Sequence, residues 1–119
     1  MIDPIDIANY YCACDIAVVP SKCQEAAGNV VIEALACGIP VISTTKGGIP
    51  EYADKKASIL VDVNDCFVDN LVNAILVLIK DDSLYNLLAS NARSVALQYD
   101  KHKYYEKFLS EVNKMVNKK

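Results

Sequence analysis

A chain of 119 residues can build one hydrophobic core but is small for a doubly wound sheet, so a single domain is expected. With 53% hydrophobic and 23% charged residues the composition is that of an ordinary globular protein, and a net charge of −3 argues against a general nucleic-acid surface. Five cysteines, at 12, 14, 23, 37 and 66, show neither C-x-x-C spacing nor a nearby His, which speaks against zinc and against a disulfide framework.

The opening MIDPIDIANYY carries Asp3 and Asp6 and no basic apolar leader, so no signal peptide is read. Residues 5–14 follow as an amphipathic helix, with Ile5, Ile7, Ala8, Tyr11 and Cys12 able to share a face. The β-branched run 15–19 predicts a buried strand ended by Pro20-Ser21. A helix over 28–37 is stopped by Gly38 and Pro40. Strands are expected at 41–44 and 58–61, separated by the Gly47-Gly48-Ile49-Pro50 loop and one helical turn around 51–53.

Beyond that the pattern is helical. Asn64 or Asp65 can cap a helix through Lys80, with Phe67, Leu71, Val72, Ile75 and Ile79 inward. Asp81 or Asp82 can cap the next, which turns Leu84, Leu87, Leu88, Val95 and Tyr99 to the core. The last starts near Lys101, with Tyr104, Tyr105, Phe108, Val112 and Met115 at helical spacing, and Lys114, Lys118 and Lys119 solvating its end. The longest apolar stretch, Leu71 to Ile79, is broken by Asn73 and too short to span a bilayer, so a cytoplasmic chain is expected. This order predicts an α/β domain with a parallel sheet and helices on its faces. Three strands leave an open edge, which native sheets avoid or cover, so the chain is expected to be truncated on its N-terminal side.

The segment Pro20 to Glu51 holds the chemistry. Glu25 and Glu33 are separated by seven residues, and between them Ala26-Ala27-Gly28 opens the helix. A strand, a small-residue turn, free N–H groups at a helix start and two flanking carboxylates suit a ligand with both phosphates and hydroxyls. Glu33 interrupts the apolar run 30–37, where a buried charge without a partner is costly.

As a block, P-S-x-x-x-E-x(7)-E-A-x-A-x-G-x-P-V-I followed by G-G-x-x-E resembles the donor-nucleotide-sugar half of GT-B-fold retaining glycosyltransferases of family 4. Residues 5–15 match the family's helix ending in Y-Y-x-x-A-D, and the match runs to about Val61. The resemblance implies a Rossmann-like three-layer parallel sheet, a partial C-terminal half of a GT-B fold with extra C-terminal helices. Residues 1–119 would form one partial nucleotide-sugar-binding domain, 1–62 its donor-site part and 63–119 its closing helices.

Retaining transfer from a nucleotide-diphosphate sugar, with UDP the expected nucleotide, to a glycan or lipid-linked acceptor is the implied activity, of hexosyltransferase type. The N–H groups of Gly28, Asn29 and Val30 would bind the departing diphosphate, where pre-aimed amides stabilise growing charge. Glu33 would accept from the ribose 2′,3′-diol. Glu25 would be the catalytic carboxylate, holding sugar hydroxyls or supporting positive charge on the ring. Gly47 and Gly48 would border the donor pocket.

The resemblance also implies that a basic pair clamping the diphosphate, and an N-terminal acceptor domain, lie upstream of Met1, so the chain alone is expected to be inactive. The implied partners are the nucleotide sugar, that acceptor domain and the acceptor, with peripheral membrane association open to a full-length enzyme. No metal and no cofactor is required.

Plainer roles stay open for each residue. Gly28 could merely ease a turn, Glu33 could face solvent, Glu25 could stabilise the helix dipole, and Gly47-Gly48 could be a simple turn. Glu51 and Ser21 read as caps or braces, His102 as a surface imidazole, and Tyr99, Tyr104, Tyr105 and Phe108 as helix packing. The alternative function is a non-catalytic relic or interaction module paired with a separate acceptor-domain chain. A receiver or dinucleotide-binding domain fits worse, because Asp15 stands at a strand start and no G-x-G-x-x-G is present.

Overall fold

The computed structural model describes residues 3–23 and 29–117, with the backbone alone at Pro4, Ile5, Tyr104 and Lys107. Helix α1 (Pro4–Cys12) begins with proline in its first turn, where a missing N–H costs no hydrogen bond. The Asp3 carbonyl accepts from the amides of Asp6 and Ile7 at 2.9 and 3.2 Å. Strand β1 (Ala17–Val19) is shorter than the run 15–19 suggests; the Asp15 carbonyl instead accepts from the Tyr85 hydroxyl at 3.1 Å.

Helix α2 (Asn29–Ala36) ends at Gly38, whose φ of 79° lets the Gly38 amide reach the Leu35 carbonyl at 3.0 Å and the Ile39 amide reach that of Ala34 at 3.2 Å. This 5→2 and 6→1 pair is the Schellman closure that a glycine at this place favours. Strand β2 (Val41–Thr44) follows, then α3 (Ile49–Tyr52) and β3 (Ser58–Val61). Helices α4 (Phe67–Lys80), α5 (Asp82–Leu97) and α6 (Lys101–Asn117) complete the described chain.

The strands pair in the order β1-β2-β3, parallel throughout, with Ala17 beside Val41 and Val41 beside Ser58. Helices lie on both sheet faces, as the α/β pattern predicts. Alternating side chains feed two cores. On one face Val41 packs with Val31, Ala34 and Leu35 of α2, Ile49, and Ala92, Val95 and Ala96 of α5. On the other, Ile42 and Val61 pack with Phe67, Ala74 and Leu78 of α4 and with Leu88. Val18 of the outer strand points to this second face, where α4 covers β2 and β3, and is 39% exposed.

Several packing expectations need correction. In α4 the inward line is Phe67, Ala74 and Leu78, with Leu71 and Ile75 partly buried, whereas Val72 and Ile79 are exposed. In α5, Leu87 is exposed while Leu88 and Val95 are buried. Neither Asn64 nor Asp65 is the N-cap of α4. Cys66 holds that place without a side-chain cap, and Asn64 Oδ1 accepts from the Cys66 amide one step earlier, at 2.9 Å.

Tyr99 packs against the first core, its ring 5.0 Å from that of Tyr52. Every described side chain of α6 is exposed, including Tyr105, Phe108, Val112 and Met115, so the expected packing stops at Tyr99. The side chains of Ile5 and Tyr104, and all of Lys118 and Lys119, lie outside the described residues.

Candidate functional site

Because the strands are parallel, all three release the chain at the same edge of the sheet, where α/β folds hold ligands. Three hydroxyls sew these exits together. Ser43 and Thr44, both fully buried, donate to the carbonyls of Val19 and Ser21 at 3.0 and 2.6 Å. Thr45 donates to Asp62 Oδ1 at 2.9 Å and joins the ends of β2 and β3. Lys22 Nζ stands 5.5 Å from the centre of the Phe67 ring, a cation–π contact at the same rim.

Helix α2 starts at this edge. Asn29 and Val30, in its first turn, are exposed, with Val30 49% accessible. The first-turn amides of an α-helix have no partner within the helix itself. Glu33 lies one turn after Asn29 on the same side of the helix. Its Oε2 accepts a hydrogen bond from the Tyr11 hydroxyl at 3.1 Å, which ties α1 to α2. Burial first, and then the Glu33 carboxylate, raise the Tyr11 phenol above its ordinary value. A carboxylate has roughly four acceptor positions, so Tyr11 leaves most of them open. Beside the pair runs a groove of about 250 Å³ lined by Ile7, Ala8, Tyr11, Glu33, Ala36 and Cys37.

The second glycine loop leaves β2 at the same edge. Gly47 takes φ of 57°, and Gly48 is the N-cap of α3 with Pro50 in the first turn. Glu51 lies in that turn with its carboxylate exposed; its carbonyl accepts from the Tyr99 hydroxyl. His102 is exposed, its amide bonded to Asp100 Oδ1 at 2.9 Å. Glu25, Ala26, Ala27 and Gly28 lie outside the described residues. Among the described residues, no three His, Cys, Asp or Glu side chains gather closely enough to hold a metal ion.

Sequence reasoning overlooked Tyr11 as a partner of Glu33 and the three hydroxyls of the sheet edge. Ser43-Thr44 within an apolar strand was the available signal, because buried hydroxyls require acceptors.

The profile of the family described as "Glycosyl transferases group 1" matches residues 1–81. The chain belongs to the group 1 glycosyltransferases. A D-inositol 3-phosphate glycosyltransferase of Corynebacterium jeikeium (strain K411) is 36% identical over 111 residues, covering 87% of this chain and 26% of that protein. Anabaena Alr3699/HepE, solved in complex with UDP, superposes with a TM-score of 0.80 at 28% identity, over 92% of this chain and 30% of that one. The C-terminal domain of a group 1 family glycosyl transferase (LpcC) from Francisella tularensis gives 0.71 at 29% identity, over 87% of this chain and 51% of that one. This group 1 glycosyltransferase chain thus spans about a quarter or less of the length of the D-inositol 3-phosphate glycosyltransferases it matches.

Proposed function

We propose that this chain forms the donor side of a retaining glycosyltransferase of family 4, binding a UDP-linked sugar for hexose transfer to a glycan or lipid-linked acceptor in polysaccharide biosynthesis. The observation that carries the reading is the convergence, at one sheet edge, of the α2 start, Glu33 one turn in and the Gly47-Gly48 loop. It is supported by Anabaena Alr3699/HepE, solved with UDP and with UDP-glucose. Residues 1–62 are the donor-site part and 63–119 the closing helices. The cytoplasm is the proposed location.

In this reading the bond from the anomeric carbon to the diphosphate breaks as negative charge grows on the leaving oxygens. The amides of Gly28, Asn29 and Val30 stabilise that charge without reorganising. Glu33 orients the nucleotide by accepting from the ribose diol, with Tyr11 holding its carboxylate in place. Glu25 serves the positive charge that develops on the sugar ring. Gly47 and Gly48 allow the backbone to approach the donor closely. Lys22, occupied with Phe67, is not a diphosphate clamp, and the acceptor side is supplied by an N-terminal acceptor domain.

Calorimetric titration with UDP and GDP tests this. UDP is expected to bind saturably, though weakly, and more tightly than GDP. Glu33→Ala should weaken it at least tenfold, as loss of hydrogen bonds worth about 1.5–3 kcal/mol at a charged acceptor requires. Equal binding by Glu33→Ala refutes the ribose role, and no UDP binding by either form favours a relic without a donor site. The isolated chain is expected to transfer no sugar from UDP-glucose; turnover would contradict the division of labour.

A further inference from the structure

Cys12 is the last residue of α1 and Cys37 stands just past the end of α2, and these two helices pack together. Cys37 Sγ lies 4.0 Å from the Ala8 carbonyl oxygen, and Cys12 follows Ala8 by one turn on the same face of α1. Ala8 and Ala36, small residues on the facing helices, border the same groove and let the backbones come close. Cys12 is exposed and Cys37 half-buried, so a small reagent can reach the pair. Cys14, by contrast, lies past the end of α1 and its Sγ donates to the Tyr10 carbonyl at 3.2 Å.

We propose that Cys12 and Cys37 close reversibly to a disulfide joining α1 to α2 when the chain meets a small disulfide oxidant such as glutathione disulfide. The Cys12 thiolate attacks one sulfur of the oxidant, breaks its S–S bond and releases one glutathione. Cys37, deprotonated in turn, attacks the Cys12 sulfur and expels the second glutathione. Two cysteine thiols are oxidised, one glutathione disulfide is reduced, and the two protons end on the two released thiols.

The order of attack follows from the surroundings. Burial, and then the neighbouring Cys12 thiol, push the Cys37 thiol up, while the Arg93 guanidinium opposes them. Arg93, whose Nε donates to the Ala36 carbonyl at 3.2 Å one residue before Cys37, favours the thiolate of the resolving sulfur once Cys12 is capped. The bridge would fix Tyr11 next to Glu33, but its formation is independent of any ligand.

The test uses the full chain carrying Cys14→Ser and Cys23→Ser, so that tryptic cleavage after Lys22 and Lys46 leaves Cys12 and Cys37 alone in adjoining peptides. After treatment with glutathione disulfide and alkylation, mass spectrometry without reduction should find those two peptides joined within one chain. Dithiothreitol should separate them, and adding Cys12→Ser or Cys37→Ser should abolish the link. In the wild-type chain, titratable thiols should fall from five to three under denaturing conditions. The thermal midpoint should rise by about 5–10 °C, a rise absent from the Cys12→Ser and Cys37→Ser chains. Glutathione adducts without the link, bridges to Cys66 or to a second chain, or retention of all five thiols overturn the proposal.

Discussion

Gly38 ends α2 with a φ of 79°, yet a methyl group added there would meet nothing within 4 Å. The demand is therefore on the backbone alone, and Gly38→Ala is expected to cost about 1 kcal/mol in urea denaturation while leaving UDP affinity unchanged. A loss too small to measure would contradict the conformational argument. Tyr11 and Tyr99 set a different signature. Burial comes first among the causes that hold both phenols above their ordinary value of 10.0. The native chain then retains protons that the unfolded chain has released, so its stability is intact below pH 10 and declines as pH climbs through the raised values. Urea midpoints followed above pH 10 should fall, and Tyr99→Phe should make that fall shallower. The glycine stop was legible because left-handed φ is a local demand. The Tyr11–Glu33 bond was not, because it joins two helices whose meeting is decided by tertiary packing.

Among the elements, α5 carries the most legible start. Asp81 Oδ1 accepts from the Leu84 amide at 2.9 Å, and Asp81→Ala is expected to cost about 1 kcal/mol, measurable by thermal melting. Leu35 of α2 is fully buried between the sheet and α5; its change to Ala should cost about 2–5 kcal/mol and loosen the start of the candidate site. Strands β2 and β3 were readable to the residue because short β-branched runs between turn signals have few alternatives. Helix α4 was not. It is apolar on most sides, so periodicity could not choose between Val72 and Ala74, and the small Ala74 lies where the helix meets the sheet. In α6 the apolar spacing announced a helix correctly but not a contact, and Phe108 is 59% exposed.

At the scale of the whole molecule, two cores on opposite faces of three parallel strands hold one edge where β1, β2 and β3 all deliver their loops. That placement was legible in the α/β order, since parallel strands impose a shared carboxyl edge. The hydroxyl seam of Ser43, Thr44 and Thr45 was not, because its acceptors come from two stretches of chain distant in sequence, 19–21 and Asp62. Weak binding is best read by NMR, so the most direct measurement is a UDP titration of the isotope-labelled chain. Amide shifts are predicted to concentrate at residues 28–33 and at Gly47 and Gly48, and to shrink at all of them in Glu33→Ala. Shifts confined to α5 and α6, or no shifts at all, would contradict a donor site at the start of α2.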